Sequence, residues 1–284
     1  MHPFVRAAAA AGFALASAAH SATPVATWHF DNSLAAAEAG VPALTAIDPL
    51  GRSGFVMDTV FGESRWVYRF DGNRTPAEQA GLYVSTTALL DNNDAYSVDL
   101  VFQFEADQSS WENILGVSNR QSDNAFYVAP SNKLQVWPMS TGPSTFTFGE
   151  YHRATLTNKG NNRVTAYLDG VFQFDLETTS MNFSAYASEN PARLIHFFAD
   201  NVAGGGQQEY ANGRVALIRL YDVELTATQV GDLPLPPQPA IPEPRTWALM
   251  LAGAAVVGVV TRRRSLIGAD SAWTRRCGME AAAC

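Results

Sequence analysis

The sequence predicts an all-β protein, two antiparallel sheets packed as a sandwich, and three observations carry that expectation. Segment 96–105 (YSVDLVFQFE) puts Val98, Leu100, Phe102 and Phe104 on one face, with Ser97, Asp99 and Gln103 on the other. That period of two marks a half-buried strand, with Val101 the exception. Segment 163–175 (RVTAYLDGVFQFD) is two alternating runs around Asp169-Gly170, a pair that tolerates the positive φ angles of a type I′ hairpin turn. Many further short runs follow at close spacing, divided by polar turns, and helical patterns are nearly absent.

In chain order, residues 1–22 read as a secretory signal. Arg6 precedes a short apolar run at 7–19 (AAAAAGFALASAA), and small residues follow in Ser17, Ala18, Ala19, Ser21 and Ala22. The run is too short to span a bilayer, and a buried Ala-rich helix is the bland alternative. Residues 23–233 then form one β domain with strands expected at 27–30, 65–70, 81–84, 113–117, 125–128, 133–137, 153–158, 193–199 and 214–221. A helix is expected at 226–232, because Thr226 and Gln229 have the spacing of a capping box. A weaker helical pattern covers 34–39.

The chain end has three parts. Residues 234–240 hold Pro234, Pro236, Pro237 and Pro239, a semi-rigid linker, because proline lacks the N–H of helix and sheet ladders. Ile241-Pro242-Glu243-Pro244 leads into the apolar run 247–260 (WALMLAGAAVVGVV), and Arg262-Arg263-Arg264 closes it. Those 14 residues would make a helix of about 21 Å, marginal for a hydrocarbon core of about 30 Å. The arginines favour the cytoplasmic side.

This tripartite pattern at 241–264 resembles the PEP-CTERM sorting signal of exopolysaccharide-producing Gram-negative bacteria. The resemblance implies recognition of Pro242, Glu243 and Pro244 by an exosortase during processing, with Arg262, Arg263 and Arg264 as the basic cluster. It also implies membrane contact through the helix before processing, and delivery to the cell envelope, surface or matrix. A plain C-terminal membrane anchor is the alternative. Residues 265–284 extend past the usual end of such signals and are unassigned.

Within the domain, three patterns resemble the laminin-G-like, concanavalin A-like jelly roll: Trp28-His29-Phe30-Asp31, the hairpin 163–175, and 213–229 (GRVALIRLYDVELTATQ). The resemblance implies sheets of six or seven strands, glycan or protein partners, and often a calcium at the rim.

Composition narrows the function. The chain has 284 residues, 47% of them hydrophobic and 16% charged, with a net charge of −8, which argues against a nucleic-acid binder. Residues 23–240 alone carry 12 basic and 24 acidic side chains. Both cysteines, Cys277 and Cys284, lie at the chain end, so the domain has no disulfide, thiolate zinc site or cysteine nucleophile. There is no HExxH, Gly-x-Ser-x-Gly or phosphate-cradling loop. Glycanases on this sandwich set carboxylates as Glu-x-Asp-x-x-Glu on one strand. Here only Asp99 and Glu105 approach that pattern, and Asp99 reads as a solvent-facing strand residue. His152 and His196 read as half-buried structural histidines. No catalytic residue is expected; a polysaccharide hydrolase or lyase with an unusual site is the alternative.

Two kinds of site remain. Asp200 and Asn201, across Gly204-Gly205-Gly206 from Gln207-Gln208-Glu209, offer the oxygens calcium takes. The glycines let carbonyls fold back, and Asp31 would approach if the terminal strands pair. An ordinary polar loop is the alternative reading. Trp111, Tyr127, Trp137 and Tyr151 are candidates for stacking on the C–H faces of sugars, or are simply core aromatics. The loop 91–94 (DNND) is a further acidic candidate or a solvated turn. The whole reads as an exported, non-catalytic adhesion or recognition protein, with extracellular polysaccharide as the expected ligand.

Overall fold

The computed structural model describes residues 22–105, 111–139, 141–207 and 209–236. The 1–21 segment lies outside the described residues, as do Gln208, the motif at Pro242-Glu243-Pro244, the arginines at 262–264 and the tail. In chain order the strands are β1 (Ala26–Trp28), β2 (Thr45–Ile47), β3 (Gly54–Val60), β4 (Glu63–Phe70), β5 (Gly81–Ser85), β6 (Ala95–Phe104) and β7 (Glu112–Gly116). Then come β8 (Phe126–Val128), β9 (Leu134–Val136), β10 (His152–Lys159), β11 (Arg163–Leu168), β12 (Val171–Glu177), β13 (Leu194–Phe197) and β14 (Gly213–Tyr221). All paired strands run antiparallel, in two sheets.

The larger sheet has eight strands and runs β12-β11-β10-β6-β14-β4-β3. The eighth, β1, shares an edge of β14 with β4: β4 takes Gly213–Val215 and β1 takes Ile218–Leu220. The smaller sheet runs β2-β5-β13-β7-β8-β9. The core lies between them. From β6 it takes Tyr96, Val98, Leu100, Phe102 and Phe104, all without solvent exposure, as the period of two requires. Val101, the exception to that period, is buried on the outer face with Val60, Val67, Ala216 and Leu217. The hairpin at Asp169 and Gly170 turns with φ of 52° and 79°, the mirror-image geometry an Asp-Gly pair accommodates.

Among the described residues one α-helix forms, α1 (Ala227–Gly231), closed by the reciprocal capping box of Thr226 and Gln229. No helix forms at 34–39. There the chain runs beside β1, its backbone engaged elsewhere: Ala37 N–H donates to the Thr27 carbonyl at 2.8 Å, and Leu44 N–H to that of Leu34 at 2.9 Å. β2 and β3 carry mixed exposure and went unsignalled by the pattern.

Asp99 is not solvent-facing. It is fully buried on the outer face of the larger sheet, where Tyr167, Tyr221, Leu225 and Val230 pack over the neighbouring strands. Arg219 reaches its carboxylate at 3.2 Å, Arg153 at 3.5 Å, and the Thr155 hydroxyl donates to it at 3.0 Å. The same arginines donate to the carbonyls of Leu233 and Pro234, at 2.7–2.9 Å, so the departing chain is tied to the sheet.

A carboxylate cluster beneath a tryptophan pair

The site stands on the outer face of the smaller sheet. Phe198, the residue after β13, has a φ of 67°, an unfavourable angle for a side chain this large, held by parallel stacking on Phe70 at 4.2 Å. That turn sends Asp200 back over the sheet. The loop between β7 and β8 meets it. Arg120, itself at φ 60°, donates to the Asp200 carbonyl at 2.5 Å, to Gln79 Oε1 at 2.8 Å and to the Pro76 carbonyl at 3.0 Å. The Val202 N–H donates back to the Arg120 carbonyl at 2.8 Å. Two loops are thereby locked against each other and against β5's approach.

Asp123, Asp200 and Glu209 converge, each offering a carboxylate oxygen, all within 4.8 Å of one another. Asp200 lies deepest at 1% exposure. Its Oδ1 accepts from Asn113 Nδ2 at 3.1 Å and faces the Tyr127 hydroxyl at 2.8 Å. Among the described residues its Oδ2 has no hydrogen-bond partner, nor do Glu209 Oε2, Asn113 Oδ1 and Asn201 Oδ1, all of them buried atoms. The Asn201 amide nitrogen is committed to the carbonyls of Ala203 and Gly205. Gly206, at φ 52°, packs directly on the cluster: a Cβ there would meet Glu209 Oε2 at 2.8 Å and Asp123 Oδ1 at 3.1 Å. The cradle therefore needs glycine.

Two full charges within 4.8 Å of each other repel by at least about 3 kcal/mol at an effective dielectric near 20. The protein relieves this by taking up protons. Burial, then the neighbouring Asp200 and Asp123 charges, push Glu209 up to about 8; burial, then Asp200, push Asp123 up to about 6. Burial raises Asp200 as well, and Tyr127 stays a phenol. Arg120 is the cation facing the group, and His196, lowered to about 4 by burial and then by Arg120, is neutral. Three carboxylates against one guanidinium leave a charge of −2 when all are ionised. The donor set is all oxygen, and buried oxygens lack partners. A hard divalent cation such as calcium fits these residues.

Above the cluster, Trp111, Tyr127 and Trp137 with Asp123 and Glu209 line a cavity of about 100 Å³. The two indole rings meet edge to face at 5.0 Å, and Trp111 meets Tyr127 at 5.6 Å. Trp137 is 36% exposed, whereas Tyr127 is buried and serves through its hydroxyl. A larger cleft of about 620 Å³ lies between β1, α1 and the departing chain, but its guanidinium, Arg219, is committed to Asp99 and to Pro234.

The structure thus brings together Asp200, Glu209, Trp111, Tyr127 and Trp137 from the sequence reading, with Asn201 adjacent. It does not bring in two others. The terminal strands do pair, but in the larger sheet, so Asp31 is exposed there and pairs with Arg65 at 3.9 Å. Tyr151 packs on the outer face of that same sheet and donates to Asp58 at 2.9 Å. Asp123 is the cluster member that the sequence pattern does not single out. It sits in a Ser- and Asn-rich loop without a spacing signature, and its only hint is its place four residues before Tyr127. His152 is a structural histidine, bonded to Asp169 at 2.8 Å; His196 stacks on Tyr83. In the 91–94 loop, Asp94 accepts from Ser184.

No known family model matches the sequence, and comparison with curated proteins finds no match. Solved structures do match. Domain 4 of AbnA, an extracellular arabinanase of Geobacillus stearothermophilus solved with arabinotriose, aligns at a TM-score of 0.53 and 18% identity, over 75% of this chain and 98% of that one. A structure of botulinum neurotoxin type C, whose cell entry depends on two ganglioside molecules, aligns at 0.49 and 11%, over 74% of this chain and 50% of that one. A Trypanosoma rangeli sialidase aligns at 0.44 and 12%, over 68% and 32%. The AbnA match shows the fold, an antiparallel β-sandwich.

Proposed function

We propose that this is a non-catalytic carbohydrate-binding domain, exported and directed at extracellular polysaccharide. The observation that carries the reading is the convergence of Trp111 and Trp137 with Asp123 and Glu209 at one small cavity. Ring faces accept sugar C–H surfaces, and carboxylates accept directional bonds from hydroxyls. The arabinotriose held by the AbnA domain supports the same ligand class. A calcium at Asp123, Asp200 and Glu209 replaces the set expected from Asp31, and its chemistry is to neutralise and order the two loops.

What supports the non-catalytic reading is the state of the two carboxylates nearest the glycanase pattern. Asp99 is enclosed by two arginines, and Glu105 pairs with Arg69 and Arg214. Neither is placed to serve as acid or nucleophile across a groove. The laminin-G-like character, the PEP-CTERM signal at 241–264, its exosortase and an envelope or matrix location complete the proposal. They rest on the sequence patterns described above. A glycan array with the purified protein tests the function: retention of oligosaccharides without their cleavage is expected. Release of shortened products would establish a hydrolase or lyase instead.

A further inference from the structure

The carbohydrate-binding reading leaves open how a sugar engages a site whose floor is negatively charged. Resting on that reading, we infer that the cation at Asp123, Asp200 and Glu209 itself meets the ligand, binding two neighbouring hydroxyls of one neutral sugar unit while Trp137 receives the ring. Four observations lead there.

Asp200 lies under the cluster, held by Asn113 and Tyr127, with one oxygen unpartnered among the described residues. Asp123 and Glu209, the outer members, are also walls of the tryptophan cavity. A cation bound by all three therefore has protein oxygen on one side and the cavity on the other. Calcium takes six to eight oxygens, more than three carboxylates supply when any of them binds through a single oxygen. The remaining positions belong to what enters the cavity.

The cavity's size selects what enters. At about 100 Å³ it is well below the roughly 300–1,000 Å³ of pockets that enclose a small molecule. An edge of a sugar fits, not a whole ring, and a vicinal diol is the edge that chelates a hard cation. Trp137, the more exposed indole at the rim, is left to meet the ring's C–H face.

Charge selects the ligand's sign. With all three carboxylates ionised, as a bound cation requires, the cluster with Arg120 carries −2, so a divalent ion brings it to neutrality and nothing further. The domain around it is strongly acidic, with 24 acidic and 12 basic side chains over 23–240. A neutral diol meets no repulsion, whereas a uronate does. Gly206, with no side chain between the carboxylates and its own backbone, keeps the cradle open to the ion.

The test uses the full-length chain, stripped with chelator. Titration with calcium chloride alone is followed calorimetrically, and a glycan array of neutral and uronate oligosaccharides is then read with calcium and with EDTA. Calcium binding is expected, with neutral glycans retained at least tenfold better in calcium. Asp123→Asn is expected to weaken calcium and sugar together by tenfold or more. Trp137→Ala is expected to lose the sugar by tenfold and keep the calcium. Circular dichroism melts at pH 5 verify that each variant folds.

Sugar retained equally in EDTA would overturn the bridging role and leave the carbohydrate reading standing. Calcium bound with no glycan retained would overturn the carbohydrate reading itself. No calcium binding would remove the bridge, and retention of uronates alone would overturn the neutral-diol class.

Discussion

Glu209 and Asp123 show how much one residue's surroundings decide. Each carboxyl is held above its unfolded value, at about 8 and about 6, by burial first and by its neighbours' charge second. An acid whose folded pKa is raised contributes stability at low pH, and that stability is lost as pH rises through the folded value. In chelator, the melting temperature should therefore fall from about pH 4 to about pH 8. Calcium should restore it more at pH 8 than at pH 5, where the ion must displace protons. Glu209→Gln removes the larger share of this slope without removing the side chain's volume. Thermal melts across that range provide the measurement, and a flat profile in chelator would contradict the arrangement. A second expectation is steric: Gly206→Ala puts a methyl group against both outer carboxylates at a positive φ. Calcium-dependent stabilisation should shrink while the fold survives at pH 5, as melts at the two pH values would reveal.

At the scale of elements, the buried triad of Asp99, Arg153 and Arg219 joins β6, β10 and β14 and also holds the carbonyls of Leu233 and Pro234. Its energy is lopsided. Removing one partner of a buried ion pair strands the rest, at a typical cost of about 3–5 kcal/mol. Asp99→Asn should therefore destabilise the domain by that order and loosen the 233–236 segment. Urea unfolding would give the first, and faster proteolysis after Leu233 the second. An unchanged midpoint would mean the triad is ornamental. What was legible in the sequence follows the same scale. Strands with one apolar face, such as β6 and β14, announce themselves, as does the capping box of α1. Asp99 did not, because the pattern gives the face a side chain points to, not what later covers that face. Asp31 is expected at the cluster on the ground that the terminal strands of such a sandwich pair, as β1 and β14 do. Period alone does not reveal that they pair in one sheet while Asp200 and Glu209 stand on the other. Asp200, Glu209 and the tryptophans were legible as residue types; their meeting with Asp123 depends on two loops locked by Arg120, a long-range fact.

The whole chain divides its charges and its thiols unevenly, and that division gives a direct test of the proposed routing. Of 19 Lys and Arg residues, seven lie outside 23–240, at Arg6, Arg245, Arg262, Arg263, Arg264, Arg275 and Arg276. Both cysteines lie beyond them, or among them, at 277 and 284. The described domain holds no thiol, so its stability outside the cytosol would rest on sandwich packing and the cation rather than on a disulfide. Processing at the Pro242-Glu243-Pro244 signal would leave a mature protein with no cysteine and a net charge more negative than the −8 of the full chain. Protein recovered from the cell envelope should then take up no maleimide under denaturing, reducing conditions, and focus at a lower pH than the full-length chain. Its intact mass should end near residue 244 and begin near residues 19–22. A plain membrane anchor predicts the opposite at the C-terminal end: two reactive thiols, the basic cluster retained, and a mass that runs through Cys284. Thiol labelling and mass together separate the two, because proteolytic nicking elsewhere in the chain would remove neither cysteine from the recovered C-terminal fragment.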